Sequence, residues 1–177
     1  MRETIEQHFG SCKFQHKCQC ITKNAFEFTQ ERQFFIYDEK NTEQPVKIIS
    51  ADEKFQLTVN NQNSKLICLI KTDNCLLGDD TRKCDCILFD DARLFFVEIK
   101  SSRSSTRSKD RRSAIEQLGI TVSLFKQRID ISKFTANAII CFKQTEPRIT
   151  SASANTARAT FLQDYKVMLE ERNYIDF

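Results

Sequence analysis

Asp85, Glu98 and Lys100 stand in a segment that otherwise reads as protein interior: KCDCILFDDARLFFVEIK, residues 83–100. Residues 84–89 and 94–100 are apolar runs of strand length. Asp90, Asp91, Ala92 and Arg93 form a polar break between them, which predicts a β-hairpin. A symmetric loop pairs Asp90 with Arg93. Counting outward from there sets Asp85 opposite Glu98. Carboxylates directly opposite on one face lie about 4.5–5.5 Å apart at Cβ and repel. Withdrawn from water, such a pair needs a shared proton or a bound cation. Lys100 lies two residues beyond Glu98, so it emerges on the same face. Ile87, Phe89, Leu94 and Phe96 share that face, and Cys84, Cys86, Leu88, Phe95, Val97 and Ile99 take the other. Both faces are apolar away from the charged end, as expected of central strands. Burying three ionisable groups there costs on the order of several kcal/mol unless they are paired or ligated. Two acids and a lysine at one spot suit a hard divalent cation, Mg²⁺ or Mn²⁺. Mg²⁺ takes one or two carboxylates and completes its shell with waters and phosphate oxygens.

The surrounding elements must hold that hairpin in place. Residues 1–12 predict a short helix with Ile5 and Phe9 on one side. Residues 33–40, 46–50, 54–59 and 65–71 are short β-type runs separated by Pro45 and by acidic or Asn-rich breaks. A Ser/Arg loop over 101–112 leads from the hairpin to a helix. Ile115, Leu118, Val122, Phe125 and Ile129 form its apolar stripe, with Gly119 inside the pattern. Residues 137–142 predict a buried strand. A final helix starts near Asn155 or Thr156, with Phe161, Tyr165 and Met168 on its buried face. Strands in succession, then a helix and a strand, predict an α/β (α+β) domain with a mixed central sheet flanked by helices. The whole chain, 1–177, reads as one domain: a strand-rich N-terminal extension (1–64), a core (65–142), and a C-terminal loop and helix (143–177).

Asp85, twelve intervening residues, then Glu98-Ile99-Lys100 resembles the D-x(n)-(D/E)-x-K signature of the PD-(D/E)xK, or restriction endonuclease-like, nuclease superfamily. Cys84 stands where that family usually has Pro. The family core is helix, three strands, helix, strand, and residues 65–142 match its last five elements in order. The resemblance implies a Mg²⁺-dependent endonuclease with Asp85, Glu98 and the Ile99 backbone carbonyl as metal ligands and Lys100 as a catalytic residue. It favours DNA over RNA, a homodimer or a partner-activated enzyme, and a role in repair, restriction or phage defence. Some branches carry Gln and, four residues on, Tyr on the helix after the lysine. Gln117 fills the first position as a further catalytic candidate, and Thr121 stands in the second. Some members add an acid from the first helix, for which Glu3 and Glu6 are the candidates. The alternative is a nuclease-fold module that binds nucleic acid or a partner protein without cutting.

Formal net charge is +3, too small to name a partner. Its distribution says more, since Lys100, Arg103, Arg107, Lys109, Arg111 and Arg112 crowd one segment against the single acid Asp110. Arg forks suit phosphates docked beside a metal, which makes Arg103, Arg107, Lys109, Arg111 and Arg112 nucleic-acid-binding candidates. No zinc finger, basic zipper or aromatic RNA-binding signature accompanies them. The opening residues lack an apolar leader and no run is long enough for a membrane helix, so the chain is expected in the cytoplasm with reduced thiols and no membrane partner. His8, Cys12, His16, Cys18 and Cys20 could supply a structural zinc site, but their spacing matches no standard finger, and buried small hydrophobes are the leading reading. Cys84 and Cys86 are read as core packing, as are Phe26, Phe28, Phe34 and Phe35.

Overall fold

A computed structural model of the chain describes residues 2–10, 24–39, 44–50, 55–78, 82–100, 104–142 and 152–177. The hairpin forms as its pattern dictates. Strand β6 (Cys86–Phe89) pairs antiparallel with β7 (Arg93–Lys100), Cys86 opposite Val97 and Phe89 opposite Leu94. The other elements are α1 (Arg2–Phe9), β1 (Phe26–Thr29), β2 (Gln33–Tyr37), β3 (Lys47–Ile49), β4 (Leu57–Asn60), β5 (Ile67–Lys71), α2 (Arg107–Arg128), β8 (Thr135–Phe142), α3 (Ala152–Tyr165), β9 (Met168–Glu171) and β10 (Tyr174–Asp176).

Six strands form one mixed sheet in the order β1-β5-β6-β7-β8-β9. Its pairs are antiparallel up to β7 and parallel from β7 through β8 to β9. Helix α2 makes the crossover that a parallel β7–β8 pair requires. Ile87, Phe89, Leu94 and Phe96 face α2, meeting Leu118, Val122 and Phe125 in one core. Cys86, Leu88, Phe95, Val97 and Ile99 face the other way, as the alternation predicts. They are covered not by a helix but by a second mixed sheet, β10-β4-β2-β3, through Phe34, Ile36, Leu57 and Val59. The expectation of a sheet flanked by helices is therefore corrected. The fold is α+β with two mixed sheets, and the helices lie on one face of the larger sheet. An apolar sheet face must be buried, and the strand-rich N-terminal segment supplies the cover.

Two further expectations change. The Ser/Arg loop predicted over 101–112 is helical from Arg107, so Lys109, Arg111 and Arg112 lie on the first turns of α2. Arg and Lys are good helix formers, and the Thr106 hydroxyl donates to Asp110 Oδ2 at 3.0 Å across the opening turn. Met168 does not line the buried face of the last helix. Lys166 adopts a left-handed φ of 51°, α3 stops at Tyr165, and Met168 opens β9 with 56% of its surface exposed. Gly119, which costs helix propensity, lies where α3 crosses α2. A Cβ there would sit 2.5 Å from the Tyr165 hydroxyl oxygen.

The hairpin turn is fastened by Asp90, which is 4% exposed. Its Oδ1 accepts the N–H groups of Ala92 (2.8 Å) and Arg93 (2.6 Å), and its Oδ2 accepts Lys65 Nζ (3.0 Å). Burial pushes this carboxyl up, but the Ala92 N–H, Lys65 and Arg93 together outweigh it and hold the pKa below the usual carboxylate range. Asp90→Ala strands those donors and is expected to cost about 2–3 kcal/mol, read as a lower urea midpoint at unchanged slope.

Candidate metal centre

The charged end of the hairpin lies where β7 leaves the sheet. Glu98 faces α2 from within β7 and is 1% exposed. Its Oε1 accepts Lys100 Nζ at 2.5 Å. Its Oε2 is buried and has no hydrogen-bond partner among the described residues. The Lys100 ammonium also donates to Gln117 Oε1 at 2.8 Å. Gln117 Nε2 in turn donates to the Lys83 carbonyl at 3.0 Å, and the Ser113 hydroxyl donates to Gln117 Oε1 at 3.2 Å. The helix thus holds the lysine against the strand that bears it.

Asp85 departs from the expected geometry. The predicted register holds as far as Cys86–Val97, but the Asp85 N–H donates to the Val97 carbonyl at 3.1 Å, and no Asp85–Glu98 bridge forms. The half-buried Asp85 side chain turns to the β7 backbone, where its Oδ2 accepts the Ile99 N–H at 2.5 Å. Face-to-face pairing of the two acids is therefore corrected to adjacency across a distorted end of the ladder. Cys84 changes face at the same point: it packs in the core beneath α2, not with Cys86 on the opposite side.

Both carboxyls are raised above their ordinary range. Burial pushes the Asp85 carboxyl well above its ordinary value, and Glu98 and Asp38 add to this; the Ile99 N–H and Lys100 oppose it. Burial also pushes Glu98 up to about 7, against the charge and hydrogen bond of Lys100, with Asp73 and Asp38 reinforcing the rise. Asp38, in the 33–40 run, and Asp73, in the polar segment that leads into the hairpin, carry no sequence signal that ties them to the two acids. Among the described residues, no three His, Cys, Asp or Glu side chains gather closely enough to hold a metal between them. A cation would draw on Asp85, Glu98 and water, which fits Mg²⁺ or Mn²⁺. The orphaned Glu98 Oε2 gives such an ion a ready ligand. Burial pushes the Cys84 thiol far up and the Cys141 thiol up to about 12, and Cys141 packs on the opposite face of the sheet.

Comparison with known protein families, curated proteins and solved structures finds no match.

The remaining candidates separate. Lys109 and Arg112 are exposed on the first turns of α2. Arg107 and Arg111 are not. Arg111 is bonded through Nε and Nη2 to the Glu171 carboxylate, Arg107 Nη2 lies 3.8 Å from the same group, and both guanidinium groups lie over the Phe142 ring. Their role as phosphate contacts is thus replaced by one that ties α2 to β8 and β9. Phe142 is the register neighbour of Lys100, so this cluster borders the site. Arg103 lies outside the described residues, as do Cys12, His16, Cys18 and Cys20, whereas His8 is exposed on α1. Phe9 stacks on Phe125 near the far end of α2, and Glu3 is exposed. No helix among the described residues is long and apolar enough to cross a membrane.

Proposed function

We propose that the chain is a metal-dependent nuclease that hydrolyses phosphodiester bonds, with DNA as the favoured substrate. The buried Glu98 carboxylate, one oxygen on Lys100 and the other without a partner among the described residues, carries this reading. A pair made only for stability would satisfy both oxygens, because an unmade hydrogen bond on a buried charged group costs about 1–3 kcal/mol or more. The element order from β5 to β8, strand-strand-strand-helix-strand, supports the resemblance to the PD-(D/E)xK superfamily.

Asp85 and Glu98 would hold the ion. Bound there, a divalent cation supplies Lewis acidity to a phosphate oxygen and lowers the pKa of a water. Lys100, tethered by Gln117, directs its ammonium to the charge that builds on the phosphoryl oxygens. Lys109 and Arg112 present positive charge to flanking phosphates.

The test is incubation of supercoiled DNA, linear DNA and RNA with Mg²⁺ or Mn²⁺. Cleavage of DNA is expected, and Asp85→Asn and Glu98→Ala should abolish it in folded protein. A wild-type chain inert on all three substrates with both ions overturns the proposal.

A further inference from the structure

The backbone that carries Asp85 is engaged at every polar atom from the Lys83 carbonyl to the Asp85 carbonyl. Lys83 O accepts Gln117 Nε2 (3.0 Å). The Cys84 N–H donates to Thr121 Oγ1 (2.9 Å), and the Cys84 carbonyl accepts the Thr72 hydroxyl. The Asp85 N–H donates to Val97 O (3.1 Å), and the Asp85 carbonyl accepts the N–H groups of Thr72 (3.2 Å) and Asp73 (3.3 Å). Thr72 and Thr121 are both fully buried.

An undisturbed antiparallel ladder alternates hydrogen-bonded and non-bonded pairs. Asp90 bonds Arg93, so the next bonded pairs outward are Leu88 with Phe95, Cys86 with Val97, and Cys84 with Ile99. In that pattern the Ile99 N–H belongs to the Cys84 carbonyl. Here two threonines remove Cys84 from the ladder, one taking its N–H and the other its carbonyl. The vacated Ile99 N–H goes to Asp85 Oδ2 (2.5 Å). No second hydrogen bond to this carboxylate is made among the described residues, so its other oxygen is the one open to a ligand.

We propose that Thr72 and Thr121 are positioning residues of the metal centre: by withdrawing Cys84 from β7 they fix the Asp85 carboxylate on the Ile99 N–H and turn its second oxygen to the cation. This rests on the nuclease reading. Thr121 occupies the helix position four residues after Gln117, so one face of α2 grips Lys100 with the first side chain and the base of Asp85 with the second. Thr121 also donates to the Gln117 carbonyl at 2.8 Å, which leaves its oxygen lone pairs directed at Cys84.

The test compares Thr121→Val with Thr121→Ser, which keeps the hydroxyl. Two readouts are needed: Mn²⁺ affinity by calorimetry, and the Ile99 amide resonance in ¹⁵N-labelled, metal-free protein with and without Asp85→Asn. In the wild type the Ile99 resonance should move on Asp85→Asn. Thr121→Val should abolish that response and weaken Mn²⁺ binding about 10- to 100-fold, the usual range for groups that orient metal ligands, and Thr121→Ser should restore both. Should Thr121→Val not fold, Thr72→Val breaks the same arrangement from the other side of Cys84. A response that persists in the valine variant, or wild-type Mn²⁺ affinity there, overturns the proposal. A wild type that binds no Mn²⁺ overturns the metal reading instead, and the Ile99 resonance still decides the threonine roles.

Discussion

Glu98→Gln is expected to make the metal-free protein more stable at pH 8, although it deletes an ion pair with Lys100. Burial raises the Glu98 carboxyl from 4.5 to about 7 despite that lysine. The folded state therefore holds this proton more tightly than the unfolded chain. Below pH 4.5 both states are protonated and the group's full favourable contribution is present. As pH rises toward about 7 the unfolded chain ionises first and that contribution is lost, and above 7 the folded protein bears the cost of a buried anion. The rise corresponds to on the order of 3 kcal/mol. In a chain of this size that is a Tm increase of about 6–12 °C for Glu98→Gln at pH 8 in EDTA, shrinking to nothing near pH 4. Mg²⁺ should raise the wild-type Tm and leave the variant's unchanged, since ligand binding stabilises only a state that binds it. Melting curves across pH with and without Mg²⁺ check this. A variant less stable than wild type at pH 8 would show that the Lys100 pair outweighs desolvation.

Lys100→Met is expected to separate binding from chemistry. The ammonium lies 2.5 Å from Glu98 Oε1, on a carboxylate that a cation must share. Removing it relieves a like-charge repulsion that is roughly 1 kcal/mol for unit charges about 4 Å apart even at the dielectric of bulk water, so Mn²⁺ binding is expected to tighten at least about fivefold. Cleavage nonetheless falls about 10²- to 10⁴-fold, because the group that meets the developing phosphoryl charge is gone. Glu98→Ala differs by losing both. Calorimetry beside single-turnover cleavage distinguishes the variants, and loss of Mn²⁺ binding in Lys100→Met would reduce Lys100 to a structural partner of Glu98.

The register of the hairpin and the faces of β6 and β7 were legible because alternation and turn length are local. Cys86 through Phe89 and Leu94 through Val97 pair where counting from Asp90–Arg93 puts them. The same count fails at Cys84 and Asp85, where the decisive partners, Thr72 and Thr121, lie 12 and 37 positions away from Cys84. The stripe of α2 was visible as a period, but its start was hidden by serines that usually mark loops. The second sheet was half visible: β2, β3 and β4 have strand composition, whereas β9 and β10, MLEE and YID, are too short and polar to declare themselves. Arg107 and Arg111 looked like phosphate ligands because nothing in their neighbourhood names Glu171. The Glu-x-Lys spacing points to the candidate residues; only packing shows that Glu98 keeps an oxygen without a hydrogen-bond partner among the described residues.

Residues 168–177 cross between the sheets. β9 closes one edge of the larger sheet on β8, and β10 then enters the smaller sheet beside β4, where Asn60 bonds Asp176 across a separation of 116 residues. Joining points that far apart costs an entropy of about 4 kcal/mol plus a constant before any contact repays it. The order of events in folding follows. The β5-β6-β7 meander can form early from neighbouring residues, and the parallel β4–β10 pair comes late and sets a slow rate. During that interval the underside of the hairpin lacks its C-terminal cover at Phe95, against which the Phe177 ring packs edge to face, so the candidate site's own strand presents an apolar side chain to misassembly while the protein is being made.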